Sequence, residues 1–183
     1  MSKIGNKPIE INKEVSIDIN NRFINIKGPL GSLSYSLPEI LNIEKKDNFI
    51  FLKRLNEDKK SKSLHGLYRQ LIANAVIGVY KKWEKQLKIV GTGYNAKVDN
   101  GNLVLKLGYS HPIIFKKVEG IDYQVKDNTI IIVSGCDKQK VGEVAYQIKI
   151  LKKPDVYKGK GIQYVGEKLR IKPGKKAKTA GTA

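Results

Sequence analysis

Two lysines alternate with two glycines in the run Pro154-Asp155-Val156-Tyr157-Lys158-Gly159-Lys160-Gly161-Ile162-Gln163-Tyr164. Glycine lets a backbone come close to a phosphate while a neighbouring ammonium reaches another, and Tyr157 and Tyr164 offer ring faces for stacking on a sugar or base. A nucleotide-phosphate loop needs G-x-x-x-x-G-K-[ST] or G-x-G-x-x-G between a strand and a helix, and neither spacing occurs here. A solvated basic loop is the plain alternative.

Gly108-Tyr109-Ser110-His111-Pro112 puts an aromatic, a hydroxyl and an imidazole at the tip of a tight loop. Ser110 and His111 could be read as a nucleophile and its base. Adjacent residues seldom point correctly for that, however, and no motif supplies an orienting carboxylate. An ordinary turn, or a loop tip placing polar groups on a sugar–phosphate edge, are the other readings. Gly91-Thr92-Gly93-Tyr94-Asn95 is glycine-rich but leads into a strand pattern, which fits a bend better than a dinucleotide site. Cys136, the single cysteine, follows an isoleucine-rich run and reads as a half-buried structural residue. His65 reads as a helix-flank residue, and no His, Asp and Glu cluster has metal-ligand spacing. No catalytic residue, metal or cofactor is expected.

These residues must be held by elements whose periods are visible. Val15, Ile17 and Ile19 alternate with polar neighbours, as do Ile24 and Ile26, and Asn20-Asn21 between them is a hairpin signal. Gly28-Pro29-Leu30-Gly31 makes the next turn, followed by alternating Leu33, Tyr35 and Leu37 and a further strand at Phe49–Lys53. The period then lengthens. Leu64, Leu67, Tyr68, Leu71, Ile72, Ala75 and Val79 draw one apolar stripe on a helix over roughly 59–81, with Asp58 or Ser61 as its cap.

From Trp83 the order repeats. Strand-like runs at 83–91, 95–98, 102–107, 112–116, 122–126 and 129–134 precede a second helical stripe of Val141, Val144, Ala145, Ile148 and Leu151, with Asp137 at its N-cap. The fold class is therefore α+β, as two tandem similar domains. Residues 1–82 and 83–183 each combine an antiparallel sheet arrangement with one α-helix, and the second adds a basic C-terminal extension over 152–183.

The chain of 183 residues carries 35 Lys and Arg against 17 Asp and Glu, a net charge of +18. The excess is uneven. Residues 152–183 hold ten basic residues against Asp155 and Glu167, a net +8. Such a balance predicts a polyanionic partner, and the lysine–glycine run within the charged arm selects RNA. A lone cysteine suits a reducing compartment, and the longest mostly apolar stretch, 71–80, is far short of the ~20 residues a membrane span needs. An enzyme acting on nucleic acid would need clustered carboxylates, and the acids are scattered singly. A peripheral membrane protein is disfavoured because neither helix is a basic amphipathic surface helix.

Eight motifs in order over nearly the whole chain carry a resemblance. They are Met1-Ser2-Lys3-Ile4-Gly5-Asn6-Lys7-Pro8-Ile9, Lys27-Gly28-Pro29-Leu30-Gly31, Leu64-His65-Gly66-Leu67-Tyr68-Arg69, Leu71-Ile72-Ala73-Asn74, Val90-Gly91-Thr92-Gly93-Tyr94, Leu107-Gly108-Tyr109-Ser110-His111-Pro112, Asp137-Lys138-Gln139 and Tyr157-Lys158-Gly159-Lys160-Gly161-Ile162. Together they resemble the bacterial ribosomal protein L6 family, whose signature the last run nearly matches.

The resemblance implies tandem domains arising by duplication and a structural role in the large ribosomal subunit, in the cytoplasm or in an organellar ribosome. It further implies contact with large-subunit rRNA near the sarcin–ricin loop and the base of the factor-binding stalk. The second domain and its extension would carry most of that contact. The first would face neighbouring large-subunit proteins and solvent, and the position at the factor-binding site makes translation factors further partners. Carried over by position, this points to Tyr109, Ser110 and His111, to Lys138, and to Tyr157, Lys158, Gly159 and Lys160. Gly161 and Tyr164 complete the run, and the arm's charge adds Lys152, Lys153, Lys168, Arg170, Lys172, Lys175 and Lys176 as rRNA-binding residues. Gln163 stands where many relatives have a basic residue, so a phosphate contact is either absent there or supplied by Lys168 or Arg170. Because the arm adds charge but little apolar surface, its removal is expected to abolish RNA binding and leave both domains folded. A free RNA-binding regulator or assembly chaperone shares the charge and is the main rival reading.

Overall fold

A computed structural model of the chain describes residues 3–20 and 22–174. Those residues fall into two compact units divided at 84/85, with 134–141 grouped with the first.

In the first unit six strands precede one helix: β1 (Ile9–Glu10), β2 (Ser16–Asn20), β3 (Phe23–Gly28), β4 (Gly31–Ser36), β5 (Leu41–Lys46), β6 (Phe49–Arg54) and α1 (Lys59–Tyr80). They form two three-stranded sheets, ordered β1-β6-β5 and β2-β3-β4. Register explains the burial. Ile17 pairs with Ile26 and Ile19 with Ile24, so the alternating isoleucines share one face, where Ile24 and Ile26 are fully buried. Helix α1 packs on β1, β3, β4 and β6, closing a core of Ile9, Ile17, Ile24, Ile26, Ile50, Leu52, Ile72, Val76 and Val79 among others.

The stripe predicted for α1 is only partly the buried face. Ile72, Ala75 and Val79 are buried, but Leu67 is exposed and Leu64, Tyr68 and Leu71 are half-buried. Their place is taken by Ser61, His65, Ala73, Val76 and Gly78. His65 is thus a core residue and not a flank. Its Nε2 lies 2.9 Å from the Leu52 carbonyl and its Nδ1 3.5 Å from Arg54 Nη1, so both ring nitrogens have partners and the ring is buried at little cost. At Gly78 an added Cβ would collide with the Cys136 carbonyl, so the helix has room only for hydrogen there. At its start the main chain of Asp58 forms the cap and accepts from Lys62 N, with no side-chain capping bond. Ser61 is not the cap, since its buried Oγ finds no hydrogen-bond partner among the described residues.

The second unit repeats the order of strands followed by a helix, although the first two residues of β7, the last two of β12 and the first four of α2 are grouped with the first unit. It contains β7 (Trp83–Val90), β8 (Asn95–Asp99), β9 (Asn102–Lys106), β10 (Ile113–Phe115), β11 (Ile121–Lys126), β12 (Ile130–Gly135) and α2 (Lys138–Leu151), then a further strand, β13 (Gly161–Tyr164). The sheets are ordered β10-β9-β8 and β11-β12-β7-β13. Leu87, Ile89, Leu103, Leu105, Leu107, Ile121, Ile131 and Val133 are buried on the strands, and Val144, Ala145 and Ile148 on α2. Leu151, expected in that stripe, is half-buried at the helix end. Asp137 caps α2 as its position suggests, accepting from Gln139 N at 2.9 Å.

Three strands have no counterpart in the expected set. Strand β1 is two residues long, and β5 alternates only Leu41 and Ile43 before turning polar. Strand β13 overturns the view of the arm as charge without core. Ile162 is fully buried opposite Ile89, and β13 pairs antiparallel with β7 over four residues. Removing 152–183 therefore strips a strand from the second sheet, and the second domain is not expected to survive that deletion. Neither helix is long and apolar enough to cross a membrane.

Candidate nucleic-acid interface

Asp155 organises the lysine–glycine run. Its Oδ2 accepts from Lys158 N at 2.9 Å, its carbonyl accepts from Gly159 N at 2.9 Å, and its own N–H donates to the Lys160 carbonyl. An aspartate bonding the main chain three residues on makes a turn that needs no other scaffold. Gly159 sits at φ +69° and Gly161 at φ +147°, both in the region that favours glycine. A Cβ on Gly161 would stand 2.7–2.8 Å from the Lys153 carbonyl, Pro154 Cα and the Lys152 carbonyl, so the returning chain has room only for hydrogen.

The turn is exposed where it matters. Tyr157, Lys158 and Lys160 are exposed, while Gly159 and Gly161 are buried beneath them. The stretch 168–172 folds back onto the same place: Lys172 N donates to the Val156 carbonyl, and Leu169 and Ile171 flank the position a Gly159 Cβ would take. Exposed Lys168, Arg170 and Lys172 are thereby gathered with Lys158 and Lys160.

The 108–112 loop meets the start of the arm. Tyr109 OH donates to the Leu151 carbonyl at 3.1 Å, and Lys152 Nζ lies 4.2 Å from the Tyr109 ring centroid. Tyr109 and Lys152 thus hold each other at the point where α2 ends and the arm begins, with Lys153 exposed next to them. Ser110 and His111 are exposed at the loop tip, Oγ and Nδ1 3.4 Å apart, and no carboxylate bonds to His111 among the described residues.

Other predicted site residues behave differently. Lys138 starts α2, about 20 Å along the helix from Leu151, and its ammonium lies 4.3 Å over the Trp83 ring, outside the cluster. Tyr164 is half-buried, with Lys149 Nζ 4.6 Å and Lys85 Nζ 5.7 Å from its ring centroid, so its ring already faces the protein's own cations. Lys175 and Lys176 lie outside the described residues.

Both acids of the arm are engaged by the protein's own groups. Asp155 holds the turn, and Glu167 bonds Lys149 Nζ through both carboxylate oxygens and accepts from Tyr164 N. The Lys149 ammonium, followed by the Tyr164 N–H, holds the Glu167 carboxyl below its ordinary range. What faces water is Lys153, Lys158, Lys160, Lys168, Arg170 and Lys172, a cationic surface suited to a phosphodiester backbone. No group of three or more His, Cys, Asp or Glu side chains could hold a metal ion among the described residues. The sequence reading missed Asp155 as anchor and Lys149 as the partner of Glu167. An Asp-x-x-Lys-Gly spacing is a signal for the first, whereas the second joins residues 18 apart and leaves no local trace.

The Ribosomal protein L6 family model matches this chain over residues 11–82 and 90–165. A protein of Natranaerobius thermophilus called large ribosomal subunit protein uL6 is 47% identical over 178 residues, covering 97% of this chain and 100% of the relative. Proteins of the same name from a Synechococcus strain and a Thermoanaerobacter strain are 44% and 46% identical, covering 97% of this chain and 98% and 99% of theirs. With the family model matching most of its length and relatives this similar from end to end, the chain belongs to the ribosomal protein L6 family.

Proposed function

We propose that the chain is a structural component of the large ribosomal subunit that binds large-subunit rRNA through the Asp155-anchored turn and the segments packed against it. The observation that carries this is electrostatic: Lys153, Lys158, Lys160, Lys168, Arg170 and Lys172 are exposed, while the arm's two carboxylates accept hydrogen bonds from the protein's own groups. The relatives' name, large ribosomal subunit protein, agrees in kind. The role is structural, with no catalytic step, and its setting is the ribosome in the cytoplasm.

The rRNA site of this reading lies near the sarcin–ricin loop and the base of the factor-binding stalk. Residues 83–183 make the contact with Tyr109, Ser110, His111, Tyr157, Lys158 and Lys160 in front, and Lys138 at a separate point. Residues 1–82 form the duplicated partner domain, facing neighbouring proteins and solvent, with translation factors as further partners at the factor-binding site. Matching of one family model to two successive segments supports the duplication.

Two experiments test the proposal. After a high-salt wash the chain should sediment with large subunits, whereas release into the soluble fraction favours a free RNA-binding regulator. Footprinting of large-subunit rRNA with the full chain should then protect the sarcin–ricin region. Protection confined to another region would move the site.

A further inference from the structure

Beyond the exposed cations of the turn and the arm, β7 brings another to the strand pair that the turn enters. In the β7–β13 ladder Lys88 stands directly opposite Gln163, while Ile89 pairs with Ile162 and Leu87 with Tyr164. Residues directly opposite in an antiparallel pair project on the same face, and alternation puts Leu87, Ile89 and Ile162 on the buried one. Lys88 and Gln163 are therefore neighbours on the outward face, two residues along β13 from Gly161, where the lysine–glycine turn enters the strand.

Availability separates Lys88 from the lysines around it. Lys149 is bonded to Glu167, Lys152 lies over Tyr109, and Lys85 lies over Tyr164. Lys88 is exposed and makes no ion pair or side-chain hydrogen bond among the described residues. Gln86, its neighbour on this face of β7, is uncharged and exposed. The first carboxylate along that face, Glu84, is four residues from Lys88, about 13 Å along a strand.

We propose that the outward face of β7 and β13, centred on Lys88 beside the Gln163 amide, is an RNA-contacting surface that extends the turn's phosphate site onto the sheet. Lys88 supplies the ammonium for a phosphate, and Gln163 supplies an amide that can bond a phosphate or ribose oxygen. The inference rests on the rRNA reading above. Because Gln163 is uncharged, the cation for that part of the surface comes from the strand alongside and not from Lys168 or Arg170.

The test uses full-length protein and protein-free large-subunit rRNA, with binding measured across a salt series for wild type, Lys88→Gln, Lys88→Gln/Gln163→Lys and Lys158→Gln. Lys88→Gln should bind more weakly at low salt, and its deficit should shrink about five- to eightfold per tenfold rise in salt, as expected when one fewer phosphate is neutralised. Moving the charge across the ladder in Lys88→Gln/Gln163→Lys should restore both affinity and slope. Wild-type binding by Lys88→Gln together with a deficit in Lys158→Gln would overturn the inference and leave the rRNA reading standing. Wild-type binding by both would overturn the reading itself. A Lys88→Gln deficit that Gln163→Lys fails to rescue would also overturn the inference, since the surface would then not be the shared face of the two strands.

Discussion

The ammonium of Lys149 on α2 bonds both carboxylate oxygens of Glu167, at 2.6 and 2.7 Å, while Glu167 also accepts from Tyr164 N at 3.0 Å. One carboxylate thus joins the second helix to the last strand and fixes where the basic arm leaves the sheet. Its carboxyl is held below the ordinary value of 4.5, chiefly by Lys149. A lowered value in the folded state means stability that is complete above about 4.5 and is lost as pH falls through the folded value. Glu167→Gln should therefore cost about 1 kcal/mol at neutral pH, modest because the pair is partly exposed. In denaturation series from pH 7 down to 3, wild type and variant should converge below the ordinary carboxylate range. A gap that stays constant across the series contradicts this role.

Ile162 should be a stability residue despite lying in the charged arm. It is fully buried against β7, so Ile162→Ala should cost about 3 kcal/mol by reduced burial and a residual cavity. Chemical denaturation measures it directly. Truncation at 152 should by the same logic unfold the second unit, visible as loss of cooperative melting.

The two glycines of the turn should differ in a defined order. At Gly159 an added Cβ meets only Leu169 and Ile171 at 3.7 and 3.8 Å, so Gly159→Ala should cost about 1–2 kcal/mol for the left-handed backbone alone. At Gly161 the same atom meets three main-chain atoms within 2.8 Å, so Gly161→Ala should cost more than Gly159→Ala and displace 152–154. Denaturation midpoints of the two variants give the order.

His65 offers a separate check on the first unit. His65→Phe keeps a ring in the core but removes the bond to the Leu52 carbonyl, leaving a buried acceptor unpaired. The cost should be about 1–3 kcal/mol, read from denaturation, with no change in RNA affinity if the contact lies in the second unit.

These residues also show what was legible in the sequence. The isoleucine alternation at 17, 19, 24 and 26 announced β2 and β3 because one face of each is wet and the other dry. The α1 stripe misled because Leu67 stays exposed, while His65, polar by type, is buried with both nitrogens paired by residues 11 and 13 positions away. Strand β13 was hidden because its four residues begin with glycine and become a strand only beside β7. The lysines of the turn were evident as chemistry. Which lysines are free to act, Lys158 and Lys160 but not Lys149, depends on partners distant in sequence.

In the proposed rRNA contact the Asp155-anchored turn presents Lys158 and Lys160 to phosphates. The most direct measurement is the salt dependence of binding of wild type and Lys158→Gln/Lys160→Gln to large-subunit rRNA, with matched melting curves because both side chains are exposed. The variant should melt as wild type does, and its log–log salt slope should be smaller by about 1.4–1.8, the value for two phosphates released. An unchanged slope and affinity in a folded variant would mean that the two lysines do not meet rRNA phosphates.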